Sequence, residues 1–133
     1  MKNIRFTLAV GALTVGLPLL HGHSAEADKL QDLMQRKLQA SQKVLEGIAL
    51  NDFDKIGKSA EDLLLISKAT DWKVVRTPSY DLYSNEFRRN AENLVRLARE
   101  KNLDGAVLAY VDVTLNCVKC HKYVREVRMT RLD

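Results

Sequence analysis

The residues best suited to chemistry in this chain form the stretch 117–121, with the sequence CVKCH, which contains both cysteines of the protein. C-x-x-C-H is the attachment pattern of a c-type haem. In that chemistry, Cys117 and Cys120 each form a thioether bond with one vinyl group, and His121 binds the iron as its proximal ligand. Positions i, i+3 and i+4 of a helix share one face. A helical stretch would therefore direct all three side chains at the same ring.

Three other interpretations of this stretch compete with haem c. A thioredoxin-like redox pair is expected within a βαβ unit, whereas the surrounding sequence predicts a helix. A structural zinc site takes four ligands, and residues 28–133 contain no further Cys or His. A disulfide would close a very short loop, where the entropic gain is smallest, and would leave His121 unexplained. We therefore predict one covalent haem c with its iron.

Residues 1–27 have the pattern of a secretory signal peptide. A basic start is followed by the apolar run 6–20 and by an A-x-A cleavage pattern at 25–27. A retained membrane anchor is the alternative, but the apolar run is shorter than the ~20 residues of a spanning helix. His21 and His23 precede the cleavage site, so we assign them no metal role. The pattern predicts a periplasmic, exported protein without a membrane span after cleavage.

Length and composition predict a single domain over residues 28–133. The chain of 133 residues carries a net charge of +4, which is too mild to indicate a nucleic-acid partner. It contains no phosphate-binding loop and no dinucleotide fingerprint. A Ser-His-Asp set would need a histidine, and the one outside the signal segment is assigned to iron. We therefore expect no enzyme activity on a substrate.

Apolar residues at spacings of three and four predict four helices. With short connections between them, they predict an all-α fold, an antiparallel four-helix bundle with up-down topology and the haem bound in the last helix. The segment 63–66 is apolar on all sides, which is typical of a helix packed among neighbours. The predicted helices cover about 28–48, 53–69, 82–101 and 104–129. The predicted apolar stripes of the first and last helices are Leu30, Met34, Leu38, Ser41, Leu45 and Ile48, with Leu33 and Val44 beside them, and Val107, Val111, Thr114, Val118 and His121.

Polar residues and a proline indicate where the helices begin and end. Asp52 is the expected N-cap of the second helix and Asp104 that of the fourth. Pro78 disfavours helical backbone in the residue before it, so the chain is expected to stay irregular until residue 82. Trp72 and Tyr80 fall in this irregular stretch. They are expected either to cover the end of the bundle or to shield an edge of the haem.

With its motif in the last of four helices, the chain resembles the class II c-type cytochromes, the cytochrome c prime family. Arg125, four residues after His121, is similar to the basic residue of that family beside its proximal histidine. The segment 123–125, YVR, resembles the ending that follows the family's haem motif. The segment 44–47, VLEG, resembles the end of its first helix. In specific residues the resemblance is concentrated in the last helix.

The resemblance also implies where the sixth iron ligand comes from. In one branch of the family, a methionine of the first helix binds the iron and the protein transfers electrons. In the other branch, an apolar side chain blocks that position and the five-coordinate iron binds NO or CO. Met34 lies on the first helix and is the candidate distal ligand. Met129 lies eight residues beyond His121 on the same helix and cannot reach the opposite face. Without a bond to Met34, the residues Leu30, Leu33 and Met34 would form an apolar distal wall.

These patterns predict a periplasmic monohaem cytochrome that carries single electrons, with a gas-binding haem protein for NO or CO as the alternative. Basic residues around the motif complement the negative end of the last helix, and they would also steer an acidic redox partner. Arg125 would pair with a haem propionate, because guanidinium groups bind carboxylates bidentately. The resemblance further implies a homodimer through the first two helices. The basic residues are Lys119, Lys122, Arg125, Arg128 and Arg131.

Overall fold

The computed structural model describes residues 25–69 and 72–130 of the chain. Each helix packs against the next one in sequence, while the first and last helices touch each other over a much shorter stretch. The predicted all-α, up-down four-helix bundle is confirmed. Residues 1–24, and with them most of the predicted signal peptide, lie outside the described residues. The helices are α1 (Ala25–Ala49), α2 (Phe53–Ser67), α3 (Pro78–Arg99) and α4 (Leu103–Met129).

Side-chain caps fix the starts of α2 and α4. The backbone N–H of Lys55 donates to Asp52 Oδ1 over 2.9 Å, so the predicted cap of α2 is confirmed. The prediction for α4 is wrong by two residues, because Asn102 is the cap and accepts from the Gly105 N–H over 2.9 Å. Asp104 instead lies in the first turn, where a carboxylate interacts favourably with the positive end of the helix.

The start of α3 corrects a second prediction. Pro78 does not keep the chain irregular but is the first residue of the helix, and Thr77 before it has extended backbone with φ −136° and ψ 152°. Proline fits this first position because its missing N–H would have no partner inside the helix. The Thr77 hydroxyl accepts from the Tyr80 N–H over 3.3 Å. Tyr80 therefore belongs to the helix and not to the connection.

The pattern of burial corrects the apolar stripes predicted for the first and last helices. Along α1 the buried side lies next to the predicted stripe, and Leu38 and Leu45 are about half exposed. Along α4 all five residues of the predicted stripe are exposed. Leu65 is also exposed, so α2 is not enclosed on all sides. The residues buried in α1 are Leu33, Lys37, Ala40, Val44 and Gly47, and those in α4 are Ala106, Ala109, Val113 and Asn116.

Close packing at the α1–α2 turn leaves no room for a side chain at Gly47. A Cβ atom on Gly47 would lie 2.9 Å from Ile56 Cγ1 and 3.1 Å from the carbonyl oxygen of Asp52. We expect Gly47→Ala to lower the free energy of unfolding by about 1–3 kcal/mol, the usual cost of overpacking. Gly57→Ala is the control, since its Cβ would meet only Ala98 Cβ at 3.6 Å. Gly57→Ala should raise the free energy of unfolding by roughly 0.5–1 kcal/mol. Urea unfolding that gives both variants the same sign would contradict this account.

Candidate functional site

The second half of α4 brings Cys117, Cys120 and His121 to one side of the helix. Both cysteines are free thiols and half-buried, and both pack against the hydrophobic core. The imidazole of His121 is more exposed than either thiol. Because α4 is a continuous helix through this stretch, the spacing i, i+3, i+4 keeps the three groups together as the sequence predicts.

Two cavities open beside these residues, where α1 and α4 diverge. The smaller has a volume of about 250 Å³ and lies between α1, the 72–77 connection and α4; the larger has about 470 Å³ and lies between α1 and α4. Met34, Lys37 and His121 line both. The smaller is also lined by Leu30, Trp72, Val74, Tyr80, Cys120, Val124, Arg125 and Arg128, and the larger by Leu38, Ser41, Tyr110, Thr114 and Cys117 among others.

The register of α1 against α4 determines which residues face the imidazole. Ser41 Oγ and the Tyr110 hydroxyl are 3.3 Å apart, and one turn nearer the start of α1 Lys37 lines the larger cavity together with Cys117. Because α1 and α4 run antiparallel, moving toward the start of α1 corresponds to moving toward the end of α4. With about 1.5 Å of rise per residue on both helices, Met34 comes level with the turn that carries His121. The register therefore agrees with a distal role for Met34.

The structure separates the two leucines predicted for the distal wall. Leu30 is half-buried and lines the smaller cavity together with Met34 and His121. Leu33 is fully buried and lines a different cavity, on the side of α1 that faces α2. A wall on this side of the cavity therefore consists of Leu30 and Met34, without Leu33.

Lys37 is a site residue that the sequence-based prediction missed. It is only 7% exposed, and its Nζ lies 4.4 Å from the centre of the Trp72 ring and 4.2 Å from that of Phe87. Within residues 25–69 and 72–130, no carboxylate forms an ion pair with it. Buried lysines normally have an acidic partner. The sequence signal was a lone lysine between Leu33 and Ala40 on the stripe that proves to be buried.

Burial and nearby charged groups shift the pKa values of three residues at this site. Burial lowers the pKa of Lys37, although the two cysteine sulfurs oppose the shift. The pKa of His121 is lowered by burial, and further by Lys37 and Arg125. A neutral imidazole is the form that binds metals. Burial also raises the pKa of the Cys120 thiol.

Aromatic residues close the end of the smaller cavity. Trp72 and Tyr80 are both buried; the Trp72 indole N–H donates to Ser84 Oγ over 3.0 Å, and the Tyr80 hydroxyl donates to the Trp72 carbonyl oxygen. Burial raises the pKa of Tyr80 to about 12, which keeps that hydroxyl a donor. A 2.7 Å hydrogen bond between the Thr77 and Tyr123 hydroxyls ties the connection to α4. Both aromatic residues thus cover the bundle end and line the cavity.

The basic residues of α4 divide into two groups. Arg125 and Arg128 are exposed and line the rim of the smaller cavity. Lys119 turns away from it and pairs with Glu86 of α3 over 3.2 Å. Arg131 lies outside the described residues. A ligand carboxylate at the smaller cavity would therefore meet arginines and not Lys119.

Comparisons with protein-family models, with curated proteins and with solved structures give no match for this chain. Among residues 25–69 and 72–130, none of the helices has the length and apolarity needed to cross a membrane. The residues at the site nevertheless fit the group that the motif implies. Two thiols and an imidazole line the two cavities, and Lys37, which lines both, forms no ion pair with a carboxylate of the described residues.

Proposed function

We propose that this chain is a periplasmic monohaem c-type cytochrome that carries single electrons. The observation that carries the proposal is the position of Cys117, Cys120 and His121 on one side of α4, beside the two cavities that separate it from α1. A covalent haem needs two thiols and an imidazole in this order. It also needs space next to them, which the divergence of α1 and α4 supplies.

Each residue then has a defined task. Cys117 and Cys120 would hold the haem through thioether bonds, and His121 would bind its iron from α4. Met34 would bind the iron from α1, and a His/Met ligand pair raises the reduction potential. Arg125, at the rim of the smaller cavity, pairs with a propionate carboxylate. Haem c supplies the one-electron chemistry of iron when it is bound.

The apolar and aromatic walls determine what else reaches the site. Leu30 of α1 and the buried Trp72 and Tyr80 line the smaller cavity with largely apolar surface, which would limit the access of water to a bound haem. Exclusion of water strengthens local electrostatic interactions. The exposed arginines outside this wall would attract an acidic redox partner.

Membership of the class II c-type cytochromes forms part of the proposal. Two observations support it: the up-down bundle of four helices and the position of the motif in the last of them. We infer export to the periplasm from the sequence pattern of residues 1–27. Export agrees with the haem motif, because haem of this type is attached outside the inner membrane.

An optical spectrum of the protein, produced with haem-maturation machinery, tests the proposal. We expect covalent haem that survives denaturation and organic extraction, and low-spin reduced bands that do not change with CO. The double variant Cys117→Ala, Cys120→Ala should abolish attachment, whereas Lys119→Ala, which keeps both thiols and the imidazole, should not. A chain that remains haem-free would contradict the proposal and favour the disulfide or metal interpretations. A high-spin spectrum that responds to CO would favour NO or CO binding over electron transfer.

A further inference from the structure

The outer side of α4 is as apolar as the side that faces the core. Its five large apolar residues range from 39% exposed at Val107 to 68% at Leu108. They lie opposite the buried residues Ala106, Ala109 and Val113 on the helix. Contiguous exposed apolar surface of this kind commonly marks an interaction site. The outer apolar residues are Val107, Leu108, Val111, Leu115 and Val118.

Four of these residues have the spacing of a helix-pairing seam. Leu108, Val111, Leu115 and Val118 follow one another at intervals of three, four and three, which is the a/d pattern of a coiled coil. The seam is about 15 Å long at 1.5 Å per residue. The nearest cation on its flank, Lys119, is bound to Glu86 of α3 and turned away from it.

Opposite charges mark the two ends of the seam. Asp104 precedes it and Lys122 follows it, 18 residues apart. Eighteen residues make five full helical turns, so both lie on the same side of α4 as the seam. Both are exposed, and neither takes part in the ion pairs of the described residues.

The pattern is symmetric about Val113. Leu108 and Val118 lie five residues on either side of it, and Val111 and Leu115 lie two residues on either side. Asp104 and Lys122 lie nine residues on either side. In a twofold interface, residue i of one copy meets residue j of the other, and j meets i. Two antiparallel copies of α4 would therefore match apolar residues in the middle and opposite charges at both ends.

We propose that a second copy of this chain covers the outer side of α4, with the two α4 helices antiparallel about a twofold axis that crosses the seam at the level of Val113 along the helix. The interface is distinct from the pairing through α1 and α2 that the family resemblance implies. The α4 interface has apolar residues at continuous heptad spacing, and the charges at its two ends are opposite, so that they match in an antiparallel pair. Along α1 and α2 the exposed large apolar residues are Leu38, Leu45 and Leu65, and Leu38 lines the larger cavity. The proposal does not depend on haem.

The molar mass of the purified protein in solution, measured by light scattering and sedimentation over a concentration series, tests the pairing. We expect a dimer, and Leu115→Lys should weaken it about a hundredfold, as for a central apolar residue present twice in the interface. Leu65→Lys is the matched control on α2 and should leave the dimer intact. A monomeric wild-type protein would overturn the proposal. So would a dimer that Leu65→Lys disrupts and Leu115→Lys does not.

Charge reversal tests the antiparallel arrangement. Asp104→Lys and Lys122→Asp each place like charges together at both ends of the seam, so each should weaken the dimer about tenfold. The double variant restores opposite charges and should recover most of the loss. Circular dichroism checks that α4 remains helical, because Asp104→Lys also removes a favourable charge from its first turn. A double variant no tighter than the weaker single variant would exclude this arrangement. Haem content, measured on the same samples, tests the proposed function separately.

Discussion

Replacing Met34 with leucine is expected to convert the iron of the haem-loaded protein from six-coordinate and low-spin to five-coordinate and high-spin. Met34 lines both cavities with His121 and comes level with the turn of α4 that carries it. No other described methionine has access, because Met129 lies near the end of α4 and is largely exposed. The variant should bind CO in the reduced state. Its potential should fall by on the order of 100 mV, within the roughly 0.8 V range that axial ligands span.

The choice of leucine separates ligation from packing. Met→Leu nearly conserves volume and usually costs less than about 1.5 kcal/mol, so the bundle should remain folded by circular dichroism. Met129→Leu is the matched control and should leave the spectrum and the potential unchanged. An unaltered low-spin spectrum in Met34→Leu would show that the sixth ligand comes from elsewhere. A wild-type protein that is already high-spin would show that Met34 belongs only to the distal wall.

The sequence was most informative where the relevant residues are close together along the chain. Cys117, Cys120 and His121 need only a continuous helix to share a side, and α4 provides it. The caps depend on equally local geometry, and Asp52 was predicted correctly. Pro78 was misjudged because the restriction it imposes on its predecessor is compatible with a helix that starts at the proline itself.

Hydrophobic spacing failed where a helix has two apolar sides. In α4 the spacing through Val107 and Val111 fits a helix as well as the spacing through Ala106 and Ala109, and periodicity alone cannot tell the core from an outer face. The same ambiguity placed Leu38 of α1 in the core. Small residues such as Ala106 and Ala109, which are buried in α4, give a weaker periodic signal than leucine does.

Lys37 could not be assigned to the site from the sequence because its neighbours are distant in the chain. Trp72 follows it by 35 residues and Cys117 by 80, and only the packing of the bundle brings them together. A lysine on an apolar stripe was the available signal, but it does not reveal which groups surround the amine. Its isolation from carboxylates is a property of the fold.

Substituting Lys37 with methionine is expected to lower the reduction potential of the haem-loaded protein and to stabilise the haem-free fold. A buried ammonium disfavours the oxidised centre, which carries one more positive charge than the reduced one. At an effective dielectric constant near 20, a unit charge about 8 to 15 Å away contributes about 1–2 kcal/mol. The expected decrease is therefore roughly 50–90 mV. Lys43→Met, an exposed lysine of the same helix, is the control and should change the potential much less.

The effect on stability has the opposite sign, because burial lowers the pKa of Lys37 below its usual 10.5. Between the folded and the unfolded pKa, the unfolded chain binds more protons, so this residue makes stability rise with pH through that window. Below it, the buried ammonium is a net cost that its contacts with Trp72 and Phe87 offset only in part. Lys37→Met should raise the free energy of unfolding by about 1 kcal/mol at neutral pH and remove the alkaline rise. A lower free energy of unfolding with an unchanged potential would mean that Lys37 stabilises the fold through its cation–π contacts and does not tune the haem. A gain in stability with a lower potential would mean that the fold tolerates a destabilising charge because it tunes the redox centre.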